Sequence, residues 1–159
     1  MAIASAEFFA VKGSARTTDI AAWYDLVALP NGGHRLSPTP KDAPADATAT
    51  GAALFARFFA GQDPKRNEIM NLAANQLLAI ADPDDPWCCY WATYALFQVG
   101  GEPWAKWNKK LDGAVTKTQA TDGDDAGSWP PVAGITRAQA TALRVLTLEA
   151  YYRYTRIVR

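Results

Sequence analysis

Residues 86–111 read PWCCYWATYALFQVGGEPWAKWNKKL, and the reading of this stretch decides the fold. Trp87, Tyr90, Trp91, Tyr94 and Phe97 fall at i, i+3, i+4, i+7 and i+10, the period of one face of an α-helix. Pro86 suits a first helical position, and Asp84 or Asp85 before it can cap the free amides of the first turn. Gly100 and Gly101 stop the run. Pro103 then opens a second helical pattern, in which Trp104 and Trp107 repeat the aromatic face. Two helices joined by two glycines have to lie side by side and antiparallel. The spacing predicts helices over 86–99 and 102–119 that form a hairpin.

The same period continues on both sides. TTDIAAWYDLVAL predicts a helix over 18–29, capped by Thr18 or Asp19, with Ile20, Trp23, Tyr24 and Val27 on one face. Pro30, Asn31, Gly32 and Gly33 end it, and residues 30–46 hold four prolines and two glycines, which reads as an ordered loop. A helix over 47–60 carries Ala53, Leu54, Phe58 and Phe59 and stops at Gly61. Asp63 as cap and Pro64 at the first position predict a third helix, with Ile69, Leu72, Ala73, Leu77 and Ile80 at helical spacing until ADPDDPW breaks it. After a Gly/Asp/Pro loop at 121–135, Thr136 caps a last helix to about residue 157. Alternating β-branched patterns are nearly absent. The expectation is an all-α chain of antiparallel helical hairpins, six or seven helices in one domain over 1–159, with residues 1–16 loosely ordered.

Bulk properties agree. A chain of 159 residues with 49% hydrophobic residues can bury a substantial core. Lys plus Arg and Asp plus Glu number 16 each, so no net field attracts nucleic acid or an anionic membrane. Arg153, Arg156 and Arg159 complement the negative end of the last helix dipole. The N-terminus lacks a basic region ahead of a long apolar run, and no stretch approaches the length of a membrane span. The adjacent Cys88 and Cys89 cannot readily form an unstrained disulfide, which points to a reduced, cytoplasmic setting.

Four stretches together carry a family resemblance. They are TGAALFARFFAG (50–61), the 86–111 stretch, TKTQATDGDDAGSWPP (116–131) and TALRVLTLEAYYRY (141–154). They resemble the prenyltransferase and squalene-cyclase repeat of the α/α toroids, which include terpenoid cyclases and protein prenyltransferases. The chain is most similar to a bacterial branch with a YYWYYAT…FQ-GG-W--WN run, which stands here as CCYWATYALFQVGGEPWAKWN. The resemblance spans most of 17–157 and implies a partial toroid. Gln119 with Gly127-Ser128-Trp129 is similar to the family's glutamine–tryptophan motif, with longer spacing. That motif implies a stabilising device in which Gln satisfies backbone groups at a helix end and the Trp ring closes over the next hairpin. A shortened ring leaves helix faces uncovered. Either the helices close up into a smaller bundle or two chains associate, and a homodimer is the expectation.

Several constellations could carry chemistry. Asp82-Pro83-Asp84-Asp85 has the DxDD form with which class II terpene cyclases protonate an alkene, so the resemblance makes Asp84 and Asp85 candidate proton donors. The flanking Asp-Pro pairs argue instead for an exposed turn and a helix cap. Asp122-Gly123-Asp124-Asp125 could hold a divalent cation, but it lacks the spacing of a calcium loop and reads as solvated turn residues. Cys88, Cys89 and the single histidine, His34, fall short of a zinc ligand set. The cysteines read as small packing residues, and His34 as an exposed loop side chain. Trp87, Tyr90, Trp91, Tyr94, Trp104 and Trp107 form the candidate apolar-ligand wall, although aromatics at this spacing more often pack a core. Tyr151, Tyr152 and Tyr154 cannot all face one side, so one or two should reach a surface.

These readings favour a non-catalytic helical interaction or assembly module that pairs with a protein partner or itself. The alternatives are a binder of an isoprenoid or other apolar small molecule and, less favoured, a small cyclase-like enzyme. None needs a metal or a cofactor.

Overall fold

A computed structural model describes residues 17–132 and 134–153. These residues form six helices and no strand: α1 (Thr17–Val27), α2 (Ala47–Phe59), α3 (Glu68–Ile80), α4 (Pro86–Val99), α5 (Gly101–Thr116) and α6 (Arg137–Arg153). The expected Tyr154, Arg156 and Arg159, the end of the last helix and the N-terminal segment lie outside the described residues.

The molecule is organised around α4. It packs most extensively against α2 and then α6, and it also meets α5 and α3, while α1 lies on α2. A helix surrounded in this way must be apolar on every side. Accordingly Cys88, Cys89, Ala92, Thr93, Tyr94, Ala95, Leu96 and Gln98 are all buried. The close approach of α2 depends on Gly51, where an added Cβ would lie 3.0 Å from the Trp91 backbone carbon. Gly100, at φ 71°, supplies the one-residue turn into α5. The α4–α5 hairpin is then fixed by Trp107 Nε1, which donates to Thr93 Oγ1 at 2.9 Å, and by Phe97 against Trp104.

Local side chains account for the helix starts. Asp46 caps α2 by accepting from the Ala49 N–H at 2.7 Å, and Asp85 caps α4 by accepting from Trp87 and Cys88. Thr136 and Gln139 form a reciprocal capping box at α6. The third helix departs from expectation. Asp63 accepts from the Lys65 N–H within a turn, so the helix begins four residues beyond Pro64, capped by Asn67 Oδ1 on the Ile69 N–H. Asn67 is the cap because its backbone is extended there, at φ −129° and ψ 101°, after the Asp63 carbonyl has closed a turn on the Arg66 and Asn67 amides.

The two long loops are both ordered. In residues 28–46 the His34 backbone bridges to Ala28 and to Asp46. Gly32, at φ 84°, presses on α3, where a Cβ would lie 2.3 Å from the Ala73 nitrogen and the Leu72 carbonyl carbon. In the loop after α5, Ala120 exchanges backbone hydrogen bonds with Gly127 and Ser128, closing a neck beneath an exposed tip. Gln119 Nε2 adds a bond to Gly127 O at 2.8 Å. The buried Trp129 donates from Nε1 to Val115 O at 2.8 Å, so the tryptophan rather than the glutamine satisfies the end of α5.

Candidate functional site

The six aromatic candidates do not share one wall. Tyr90, Trp91 and Tyr94 gather with Phe55 and Phe59 of α2, with ring centroids 4.7–6.2 Å apart. Tyr94 is buried and donates its hydroxyl to Leu146 O at 2.9 Å, tying α4 to α6. Trp107 is fully buried on the other side of α4, its indole N–H engaged by Thr93. The Tyr94 and Trp107 rings fill the interior, and their polar ends find partners inside the protein, while Tyr90 and Trp91 are half-buried at its edge. Trp87 stands apart at the start of α4 and is 46% exposed.

Trp104 belongs to a different neighbourhood. Its ring lies between Phe97 and Tyr151, with centroid separations of 5.3 and 5.4 Å. Beside it a groove of about 490 Å³ runs between α5 and α6. Leu111, Val115, Leu148 and Tyr151 give it an apolar floor, while Asn108, Lys109, Asp112 and Thr116 supply polar edges. The Tyr151 hydroxyl contacts Asn108 Oδ1 across the groove. In the sequence Tyr151 stands out only as one of three tyrosines at the end of the last helix, because the groove depends on how α5 and α6 meet.

The groove continues onto the outward side of α6. Ala138, Ala142, Val145, Leu146 and Tyr152 are exposed, and Tyr152 is 90% accessible. Among the described side chains, the half-buried Glu149 is the charged one interspersed with them. The opposite face, through Ala140, Leu143, Thr147 and Ala150, is buried. Helix α6 therefore presents apolar side chains both inward and outward, a pattern expected of a helix covered on two sides.

Asp84 and Asp85 lie exposed on the turn between α3 and α4. The Asp85 carboxylate caps α4, and Asp82 Oδ1 accepts from the Asp84 N–H at 2.9 Å. Arg144 reaches across from α6, donating to Pro83 O at 2.6 Å and Asp84 O at 2.8 Å. The turn is thus organised by its backbone, and neither carboxyl group has the apolar enclosure that an alkene-protonating acid requires. In the second acidic run Asp125 pairs with Arg137 at 3.0 Å. Cys88 and Cys89 are buried against the core, where desolvation pushes the thiols up to about 12 and about 11. Such thiols are poor nucleophiles. Among the described residues, no three His, Cys, Asp or Glu side chains converge as metal ligands, and no helix is long and apolar enough to cross a membrane.

His34 is placed differently from its reading as an exposed loop residue: it is fully buried. Its ring meets Tyr24 edge-on at 6.2 Å, and its Nε2 lies 3.5 Å from the Arg57 guanidinium. Arg57 is itself 2% exposed, and it donates to Asp25 at 2.7 Å and to Gln62 Oε1 at 3.2 Å. A guanidinium only donates, so Nε2 is the acceptor and the neutral ring carries its proton on Nδ1. Nδ1 finds no partner at full hydrogen-bond geometry, although the Gly32 backbone favours the charged ring. Burial, and then the Arg57 cation, push the His34 value down to about 4 against that backbone and Asp25. A loop rich in Pro and Gly gives no periodicity from which this burial could be read.

Comparison with known protein families, curated proteins and solved structures finds no match to this chain. The fold and its surfaces define an all-α helical domain, and its functional reading rests on its own geometry.

Proposed function

We propose that the chain is a non-catalytic helical module that works by self-association, pairing through the outward side of α6 with a second copy. The observation that carries this reading is the exposed apolar row of Ala142, Val145, Leu146 and Tyr152, which continues into the groove beside Tyr151. Water in contact with such a row is unfavourable, and a twofold pairing buries the same residues on both chains. A net charge of zero leaves no long-range repulsion between copies. The same reading includes a relation to the α/α toroids, supported by the Trp129 ring, which bonds to Val115 O at the end of α5, while Gln119 bonds within the following loop.

Sedimentation across a hundredfold concentration range tests it. The expected result is a dimer mass that falls to the monomer mass in V145K/Y152K, with helicity unchanged. A wild-type chain that stays monomeric throughout overturns the proposal.

The groove supports a second reading, an apolar small molecule with one polar end. Its volume lies within the range of ligand sites, and its floor is apolar with polar groups at the edge. Titration with farnesol, a simple isoprenoid alcohol, distinguishes the two. Saturable binding lost in L148W supports the ligand reading, and no heat of binding removes it.

A further inference from the structure

The backbone of His34 joins three segments. Its N–H donates to Thr50 Oγ1 in the first turn of α2 at 2.9 Å, and its carbonyl accepts from the Asp46 N–H at 2.8 Å. The next residue, Arg35, donates its backbone N–H to Val27 O at the end of α1 at 3.0 Å. The loop, α1 and α2 thus meet at one residue whose imidazole is enclosed.

The groups around that ring are specific. From α1 come Tyr24 and Asp25, and from α2 comes Arg57. Arg35 turns its guanidinium away, to Leu26 O and Lys41 O, while the Asp46 carboxylate caps α2. Helix α3 meets the adjoining glycines with Leu72, Ala73 and Gln76, which carry no charge. The carboxylate in contact with Arg57 is that of Asp25, and its side chain is 64% exposed and so largely screened. A proton on Nε2 would place a second cation 3.5 Å from Arg57 and turn the acceptor of that contact into a donor facing a donor.

We propose that this corner is an acid-released latch, in which protonation of His34 frees α1 and the 28–46 loop from α2 while α2, α4 and α6 stay packed. The division follows from where the titrating group lies. The central helices are joined by apolar side chains such as Leu54, Phe55, Ala92 and Leu96, none of which changes charge. Burial and Arg57 keep the enclosed ring neutral until about pH 4, whereas a released ring charges near its ordinary 6.5. Acid therefore favours the released form across the interval between those values.

His34 is the only histidine, so its Cε1–H signal in NMR is free of overlap with other imidazoles, and hydrogen exchange reads the latch residue by residue. In the full chain, protection at the Arg35 and Asp46 amides is expected to fall about 40-fold from pH 6 to pH 4, while Leu96 keeps its protection. In H34Q that pH-dependent loss should disappear, which separates His34 from any carboxylate titrating in the same range. Three results would overturn the latch: a native-state His34 value near 6.5, equal loss at Leu96 and Asp46, or an undiminished pH response in H34Q. If H34Q does not fold, the two wild-type readouts still decide. R57Q supplies a second variant, expected to raise the His34 value, and no change there removes Arg57 from the device.

Discussion

At the His34 corner a histidine and two arginines lie inside the protein, whereas along α6 valine, leucine and tyrosine side chains face outward. The two regions depart in opposite senses from the usual sorting of side chains. Each departure has a cost, and the remedies differ. The corner is repaired internally in part, because the terminal guanidinium nitrogens reach backbone carbonyls, Gln62 and Asp25, while His34 Nδ1 and both arginine Nε atoms find no full hydrogen bond. The α6 row has no such remedy within the described residues, and the proposed pairing with a second copy would supply one. One region ties the chain to itself, and the other offers a surface to something else.

Substitutions sort the two regions by the size of their effects. Gly32→Ala attacks the corner most severely, because a Cβ would meet the α3 backbone at 2.3 Å and φ is 84°. A loss of about 3–5 kcal/mol in urea unfolding is expected, and a loss below about 1 kcal/mol would show that the loop is not pressed on α3. Acid comes next. Because the folded-state value of His34 lies below its unfolded value, its stabilisation is complete above pH 6.5 and is lost as pH falls to about 4. That gap corresponds to about 3 kcal/mol, visible as a pH-dependent midpoint in wild type and missing in H34Q.

The groove side should respond more weakly in stability and more strongly in association. Leu148→Ala removes part of a half-buried floor, so about 1–2 kcal/mol is expected by thermal unfolding. Tyr152→Lys alters a side chain that is 90% exposed and should change stability by less than about 0.5 kcal/mol. The same change should weaken self-association at least tenfold, about 1.4 kcal/mol, by sedimentation. A large stability effect from Tyr152→Lys would mean that the outward row is packed against this same chain, and the contrast between the regions would fail.

Much of the helical framework was legible in sequence, for physical reasons. The α4 boundaries follow from Asp85, Pro86 and Gly100, which act through local geometry alone. Neither Asp63 nor Asn67 is distinguishable as the cap of α3 without knowing which amides the turn before it satisfies. The aromatic stripe was legible as a face, but its division was not. Whether Tyr90 and Trp104 share a neighbourhood depends on which helix covers each side of α4. His34 was least legible of all, because its burial arises from Arg57 and Thr50, which lie 23 and 16 residues away in the chain.

The neck at Ala120 has a practical consequence. Its backbone bonds to Gly127 and Ser128 close the loop before the tip begins, and residues 121–127 are all exposed. Lengthening a loop that is already closed adds little conformational entropy cost, about 0.6 kcal/mol for each doubling. An epitope or a fluorophore-binding peptide inserted between Gly123 and Asp124 would therefore leave the helices undisturbed. Such an insertion would give the protein a handle at the start of α6, on the far side of the Asp125–Arg137 pair from Val145 and Tyr152 in the helix sequence.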